Sequence, residues 1–582
     1  MDIINKSWKI ISNKSKLRLQ FYFILIFIVS ILEVIGISFI LPIISAISND
    51  LLNSNLYVLD NIINYFKIET KIELISYLLG LFLLFIILKN IFISFFFYYE
   101  SFVSENIFVE TSQKLFSNYL RSPFQFHLNT NSSQLVRNTN TETEMFNSTV
   151  KFIIIIITET IVSLFILGFL FFYEPVGTLI IISTFLLSSF LFIIFTKSKI
   201  KNYARTRLKY HGKALKIIME GLLCIKDIKI LNKEVYFINN LYEKLNKKKV
   251  AVIWFTFFSN VPRLLLEFII ITSVCILMFF LINQQYSSTE IFEVIGIFVA
   301  SAYRLLPSIN KIQLSYHRIL WGAPSVRVIY NQIKNLNNDK VKEQSFNNKN
   351  IQNNFRFKKE IKIKDISFYY KKNSRFNINN INFNIKKGES IGIVGQSGSG
   401  KSTILNIIIG LLKPQSGEIF FDELNIENIN GWNKSIGYVP QNVYLTDDTI
   451  FNNIAFGVGK DKFKSRKVQS AIEKAQLKEF ISSLPKKENT LVGEKGVRLS
   501  GGQVQRIGIA RALYHNPSIL VLDEASSALD YKTETDLMSA VNLLKGKTTM
   551  IIVTHRISTV ERCDKIIEIK KGKINKIIRK YK

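Results

Sequence analysis

The chain has 582 residues, 48% of them apolar with 47 Phe, and Lys and Arg exceed Asp and Glu by 31. That length is too great for one ordinary domain and suits two or three. The positive excess would fit a nucleic-acid partner, but it is spread along the chain, with 39 basic against 22 acidic residues from 353 onward; no basic stripe forms, so no nucleic-acid partner is expected. The membrane spans that follow exclude a soluble nucleic-acid-linked enzyme.

Residues 1–19 are basic, with Lys6, Lys9, Lys14, Lys16 and Arg18, and a long apolar run follows without a small-residue cleavage pattern. It reads as a first membrane span and not a removed leader. A bilayer core of about 30 Å takes roughly 20 apolar residues in a helix. Six runs qualify: 21–47, 72–98, 150–173, 176–196, 254–282 and 291–312. Glu174-Pro175 joins the third and fourth as a tight hairpin. Between the first two, Leu51–Phe66 places Leu52, Leu56, Leu59, Ile63 and Phe66 at spacings of three and four. This is an amphipathic helix, either packed against the neighbouring spans or receiving a lipid.

Lys197–Lys249 holds fifteen Lys and Arg, whereas the joints at 173–176 and 283–289 hold none. The positive-inside rule then places both termini and the long 99–149 and 197–253 loops in the cytoplasm. Those loops are expected to prolong the helices and to end in short crosswise helices near Asn131–Arg137 and Gly221–Ile228. Within the spans stand Glu33, Lys89, Glu159, Arg263, Glu267 and Arg304. An ionised group at mid-bilayer costs about 2.5–3.5 kcal/mol, so such groups face a cavity or one another. Arg263 and Glu267, four apart, are placed to pair. Lys89, Arg263 and Arg304 either line an anion-accepting cavity or sit in structural ion pairs. The three cysteines, Cys224, Cys275 and Cys563, are far apart and read as reduced thiols.

Residues 1–330 thus form a membrane domain and 331–354 a polar linker, while 355–582 alternate short apolar strands with helices, an α/β pattern. There the buried-strand run Ser390–Val394 leads into Gly395, Gln396, Ser397, Gly398, Ser399, Gly400, Lys401, Ser402 and Thr403 and then an apolar helix. Strand, glycine loop and helix is the context a phosphate-binding loop requires. The glycines let the backbone wrap the phosphates of ATP, and N–H groups at the helix start attract negative charge. Lys401 is expected at the β- and γ-phosphates and the Ser402 hydroxyl on Mg²⁺. Ile519–Glu524 is a second buried strand ending in two acids: Asp523 as a Mg²⁺ ligand, direct or through a bound water, and Glu524 as general base toward water.

With these motifs in place the whole chain resembles an ABC transporter of the exporter type. The resemblance implies six transmembrane helices fused to an α/β P-loop ATPase domain. Leu499–Gln503 (LSGGQ) matches the family's signature motif, so Ser500, Gly501, Gly502 and Gln503 would face the nucleotide of an opposing subunit. Tyr370 resembles the aromatic that stacks on adenine, with Tyr369 as the alternative, and Gln441 the Q-loop glutamine touching Mg²⁺ or water. Ser527–Asp530 looks like the D-loop, placing Asp530 by the nucleotide, and His555 like the switch histidine at the γ-phosphate. Two departures are Leu491, where exporters often have Glu, and Val504, where Gln or Arg is usual. One membrane half and one ATPase per chain imply a homodimer, or a heterodimer with a sister half, in the plasma (inner) membrane.

For the cargo, LEVIGISFILP (32–42), PRLLLE (262–267) and YRLLPSIN (303–310) are similar to PglK-type lipid-linked oligosaccharide flippases. That resemblance implies a polyprenyl-pyrophosphate glycan as substrate and a basic lining of Lys89, Arg263 and Arg304. A peptide, drug or lipid exporter is the alternative on the same scaffold. An ATP-gated channel or regulatory subunit fits less well, because the hydrolytic set is intact.

Overall fold

The computed structural model describes residues 2–48, 70–285, 288–346, 357–370, 377–429, 431–459, 465–525 and 531–579. The expected Leu51–Phe66 helix and the Ser527–Asp530 segment lie outside the described residues. The chain divides into two units, one of Met1–Ser122 and Asn129–Asp339, the other of Pro123–Leu128 and Lys340–Lys582.

The first unit is helical. Its long helices are Asn13–Ser38, Lys71–Leu120, Thr143–Tyr173, Pro175–Leu223, Glu234–Asn283 and Ser288–Phe346. Their starts follow local chemistry: Ser12 caps the first, accepting from Ser15 N, and Thr70 with Glu73 forms a capping box on the second. Glu174 leaves the helical region at φ −143° and Pro175 opens the next helix at its first position, which makes the expected hairpin. Among the described residues four helices are long and apolar enough to cross a bilayer: Asn13–Ile44, Lys71–Leu120, Ser132–Tyr173 and Glu234–Asn283. Pro175–Thr184 is a shorter apolar run. The helix Ser288–Phe346 continues through the first part of the stretch read as a linker.

Beyond the apolar runs the helices are held by polar contacts that hydropathy does not reveal. A π-helical turn, Asn138–Glu142, brings the fully buried Glu142 carboxylate to the Ser325 hydroxyl, 2.5 Å away. Arg207 donates to the same hydroxyl at 3.0 Å. Burial, together with the cations Lys248, Arg207 and Arg137, holds the His211 imidazole down to about 4, so it is uncharged at neutral pH. The short helices expected near 131–137 and 221–228 occur as Phe124–Asn129, Ser132–Arg137 and Ile225–Ile230. Pro123–Leu128, upstream of the first expected position, groups with the second unit, and Phe124 packs against that unit's core.

The second unit is an α/β fold on two sheets. Strands β1 (Glu360–Tyr369), β2 (Asn377–Lys386), β4 (Ser416–Phe421) and β5 (Leu424–Asn425) make an antiparallel sheet in the order β2-β1-β4-β5. Strands β3 (Ser390–Val394), β6 (Ile436–Val439), β7 (Ile519–Asp523), β8 (Thr549–Thr554), β9 (Lys565–Lys570) and β10 (Lys573–Arg579) make the other, ordered β10-β9-β3-β8-β7-β6. β3, β7 and β8 are buried along their whole length, as parallel strands covered on both faces must be. Ligands of such sheets gather at the carboxyl ends of the strands, where the phosphate loop and both acids lie.

A polar bracket closes the helical side of this unit. Arg511 donates to Asn453 O at 2.8 Å, Asn453 Oδ1 at 2.9 Å and Tyr444 O at 2.9 Å. Asn453, fully buried, donates to Thr446 O and Thr449 O, both at 3.0 Å. Asn453→Ala strands several of these groups, each costing about 1–3 kcal/mol. We expect the melting temperature of the purified protein to fall by at least ~5 °C, read by circular dichroism; an unshifted melt would refute the bracket.

Candidate functional site

β3 ends at Val394 and the chain turns at once. A Cβ at Gly395 would lie 2.4 Å from Ile569 O and 2.6 Å from Ser399 Oγ, so only glycine fits. Gly398 (φ +76°) and Gly400 (φ +108°) take the left-handed region that glycine enters without strain. Helix Lys401–Ile408 starts on Gly400, aiming its unbonded N–H groups into the loop. Lys401 is buried, its Nζ donating to Gly395 O at 2.9 Å and Gln396 O at 3.1 Å. Tyr370 rests edge-on against Phe368 at 5.0 Å, and its hydroxyl meets Thr403 Oγ1 at 3.2 Å. The exposed Tyr370 ring thus stands beside the loop.

The acids arrive on β7. Glu524 holds φ +46°, an uncommon conformation for a residue with a side chain, costing of the order of 1–3 kcal/mol. Its N–H is fixed on Val553 O at 2.8 Å. Gln441 Nε2 donates to Glu524 Oε2 at 2.9 Å, while Lys401 Nζ and His555 Nδ1 each stand 3.7 Å from Oε1. The structure therefore brings together four expected residues, Lys401, Gln441, Glu524 and His555, around one carboxylate. Beside it, Asp523 accepts from the Tyr438 hydroxyl at 3.3 Å through Oδ2, while its buried Oδ1 has no hydrogen-bond partner. Burial pushes the Asp523 carboxyl up; Tyr438, Lys401 and Ser402 pull it back, against the push of Glu524. Burial and the Asp523 charge also push the Tyr438 phenol up.

The magnesium expectation is tested by that bare oxygen. Asp523 Oδ1 is a buried anionic acceptor lacking a donor, which a cation satisfies. No cluster of three or more His, Cys, Asp or Glu suited to a metal occurs among the described residues. Magnesium takes one or two protein ligands and completes its shell with phosphate oxygens and water. Asp523, Ser402 and the Gln441 amide oxygen fit the group.

Leu499–Gln503 opens helix Gly501–Leu513 through a capping box. Gln503 N donates to Ser500 Oγ at 3.4 Å, and Ser500 N donates to Gln503 Oε1 at 2.9 Å. Gln503 thus uses its side-chain oxygen on the helix start, leaving Ser500 and Gly501 exposed with the half-buried Gly502 behind them. Gln505, unforeseen from the motif, donates to Gln441 O at 2.9 Å and ties the signature helix to the glutamine that holds Glu524. Val504 is harmless, packing against the core. Leu491 is exposed and bridges Thr449 as a single β-pair. Asp530 lies outside the described residues.

In the membrane unit the three expected cations do not share one cavity. Lys89 and Arg304 both pair with Glu33, at 3.4 and 3.0 Å, and Arg263 pairs with Glu267 at 2.9 Å. Arg304 lines a cavity of about 370 Å³ with Glu33, Glu100, Glu159, Lys151 and Lys311. Lys311 reaches Glu159 at 2.6 Å and Lys151 reaches Glu100 at 3.8 Å. Lys89 is not among the lining residues, and Arg263 lines a separate hollow of about 830 Å³ with Glu267 and Asn310. Arg304 thus shares its cavity with Lys151 and Lys311, while Lys89 and Arg263 stand outside that lining and in ion pairs. Both lysines sit at the margins of hydropathy runs, Lys151 second in one and Lys311 next to last in another.

Residues 19–300 match the ABC transporter transmembrane region and residues 378–527 match the ABC transporter domain. Among relatives, the ATP-dependent lipid A-core flippase of Dechloromonas aromatica is 29% identical over 483 residues, 82% of this chain and 80% of that protein. The flippase of the same name from Haemophilus influenzae is 41% identical over 219 residues, which is 37% of each protein. That from Idiomarina loihiensis is 42% identical over 217 residues, again 37% of each. The fold is similar to the structure of a bacterial Atm1-family ABC exporter with ATP bound, at TM-score 0.76 and 20% identity, covering 96% of this chain and 95% of that one. The phosphate cradle, the paired acids and these matches together make the chain an ABC transporter with transmembrane and ATPase domains fused in one polypeptide and the fold of an ABC exporter.

Proposed function

We propose that the chain pairs with a second copy and uses ATP to flip a lipid with a phosphorylated head across the inner membrane, a polyprenyl-pyrophosphate-linked oligosaccharide in particular. One signature turn and one phosphate loop per chain support the pairing, because the two halves of an ATP site then meet across an interface. In each site Lys401 exchanges its loop carbonyls for the β- and γ-phosphates, and Gln441 steers the Glu524 carboxylate toward the attacking water, whose proton Glu524 accepts. His555 stands on the other side of that carboxylate, toward the γ-phosphate. Magnesium, when bound through Asp523, Ser402 and Gln441, neutralises phosphate charge.

The observation that supports the substrate reading is the charged cavity in which Arg304, Lys151 and Lys311 are paired with Glu33, Glu100 and Glu159 and can exchange those carboxylates for a ligand's phosphate. Cations held in a low-dielectric enclosure suit a phosphate or pyrophosphate and give nothing to an uncharged drug. A lipid A-type substrate is the second reading, favoured by the names of the relatives. In proteoliposomes, a polyprenyl-pyrophosphate glycan is expected to stimulate ATPase activity several-fold and to reach the far leaflet. Stimulation by lipid A-core alone would select the second reading, and response only to peptides or drugs would defeat both.

A further inference from the structure

We propose that Tyr438 is a positioning residue for magnesium: its hydroxyl holds one oxygen of Asp523 so that the other is presented to the ion. The inference rests on the ATP-site reading and extends it to a residue, three before Gln441, to which the sequence alone gave no role.

Strands β6 and β7 are parallel neighbours, and Tyr438 pairs in register with Val521, two residues before Asp523. A side chain as long as tyrosine, standing on the adjacent strand at that offset, spans the distance to the end of β7. Its hydroxyl reaches Asp523 Oδ2 at 3.3 Å. The carboxylate torsion of Asp is broad and roughly two-fold, so an unrestrained Asp523 exchanges its two oxygens. One fixed donor removes that freedom. Oδ1 is then buried and without a hydrogen-bond partner, at a cost of about 1–3 kcal/mol until a cation arrives.

Neighbouring donors do not duplicate the function. Lys401 directs its ammonium at Gly395 O, Gln396 O and Glu524, and Gln441 donates to Glu524. Ser402 also stabilises the Asp523 carboxylate, but it is itself an expected ligand and turns to the ion when the site fills. Tyr438 alone of these can keep its bond to Oδ2 with metal in place. Outer partners that orient a ligand in this way typically change metal affinity by 10–100-fold when removed.

The test uses the full-length protein in the Glu524→Gln background, so that bound ATP persists. Mn²⁺ binding to the ATP-loaded protein is followed by electron paramagnetic resonance, and fluorescent-ATP binding is measured separately in EDTA. Tyr438→Phe is expected to weaken Mn²⁺ binding about 10-fold, with metal-free nucleotide binding within twofold of the parent. Unchanged Mn²⁺ affinity, or an equal loss of metal-free binding, overturns the assignment. If Tyr438→Phe fails to fold, Tyr438→His keeps a ring without the reach and carries the same expectation. Absence of Mn²⁺-ATP binding in the parent itself would instead strike down the ATP-site reading.

Discussion

Glu524→Gln is expected to lower ATP turnover about 10³-fold while ATP binding persists, measured as phosphate release and nucleotide affinity on the same preparation. General-base catalysis contributes roughly 10²–10⁴-fold, and this carboxylate is the group on which the site converges. Gln441 holds one oxygen at 2.9 Å, and Lys401 and His555 flank the other at 3.7 Å. Glutamine has the same shape and retains a carbonyl to accept from Gln441, so the loop survives the exchange. What it lacks is basicity. Binding should persist because the phosphates are held by the loop N–H groups and by Lys401, which loses one negative neighbour. Normal hydrolysis by Glu524→Gln would remove Glu524 as the base and shift attention to His555. The strained φ of +46° adds a second expectation: Glu524→Gly relieves the backbone yet abolishes turnover, separating strain from chemistry.

How much of this was legible beforehand depended on whether the information was local. The phosphate loop could be read from Gly395–Thr403 because glycine positions, lysine and strand context are all encoded within a dozen residues. The Glu174-Pro175 hairpin was likewise written in one dipeptide, and it appears as a φ of −143° followed by a proline at the first helical position. Contacts between segments distant in sequence were not legible. Tyr438 meets Asp523 across 85 positions and Gln505 meets Gln441 across 64, through register and helix phase that no motif states. Glu33 illustrates the same limit in the membrane. Lys89 lies 56 residues away and Arg304 far beyond, so pairing could not be told from cavity lining until helix packing brought all three to one point. Arg263 and Glu267, one turn apart, could be paired by counting, and they are paired.

Neutralising Arg304 and Lys311 together by Gln should reduce lipid flipping at least ~10-fold, the loss of one strong charge-assisted contact being worth about 1.5–3 kcal/mol, while basal ATPase persists. The single-charge variants alone would be ambiguous. Glu33 and Glu159 are buried: Arg304→Gln leaves Glu33 with Lys89 alone, and Lys311→Gln leaves Glu159 an uncompensated charge that costs about 3–5 kcal/mol in its own right. Pairwise neutralisation resolves this. In Arg304→Gln and Lys89→Gln with Glu33→Gln, and in Lys311→Gln with Glu159→Gln, neither a carboxylate nor a cation is stranded. If the cations serve only to hold helices together, flipping returns in these paired variants along with thermal stability. If they receive a phosphorylated head, stability returns and flipping does not, because the ligand's charge still finds no partner. Arg263→Gln supplies the comparison: its pair is exposed and four residues apart, worth about 0.3–0.5 kcal/mol, and it lies off the cavity, so flipping should change less than twofold. Recovery of flipping in both paired variants would leave the cavity as an ion-pair scaffold and move the search for the head-group site to the larger hollow beside Arg263.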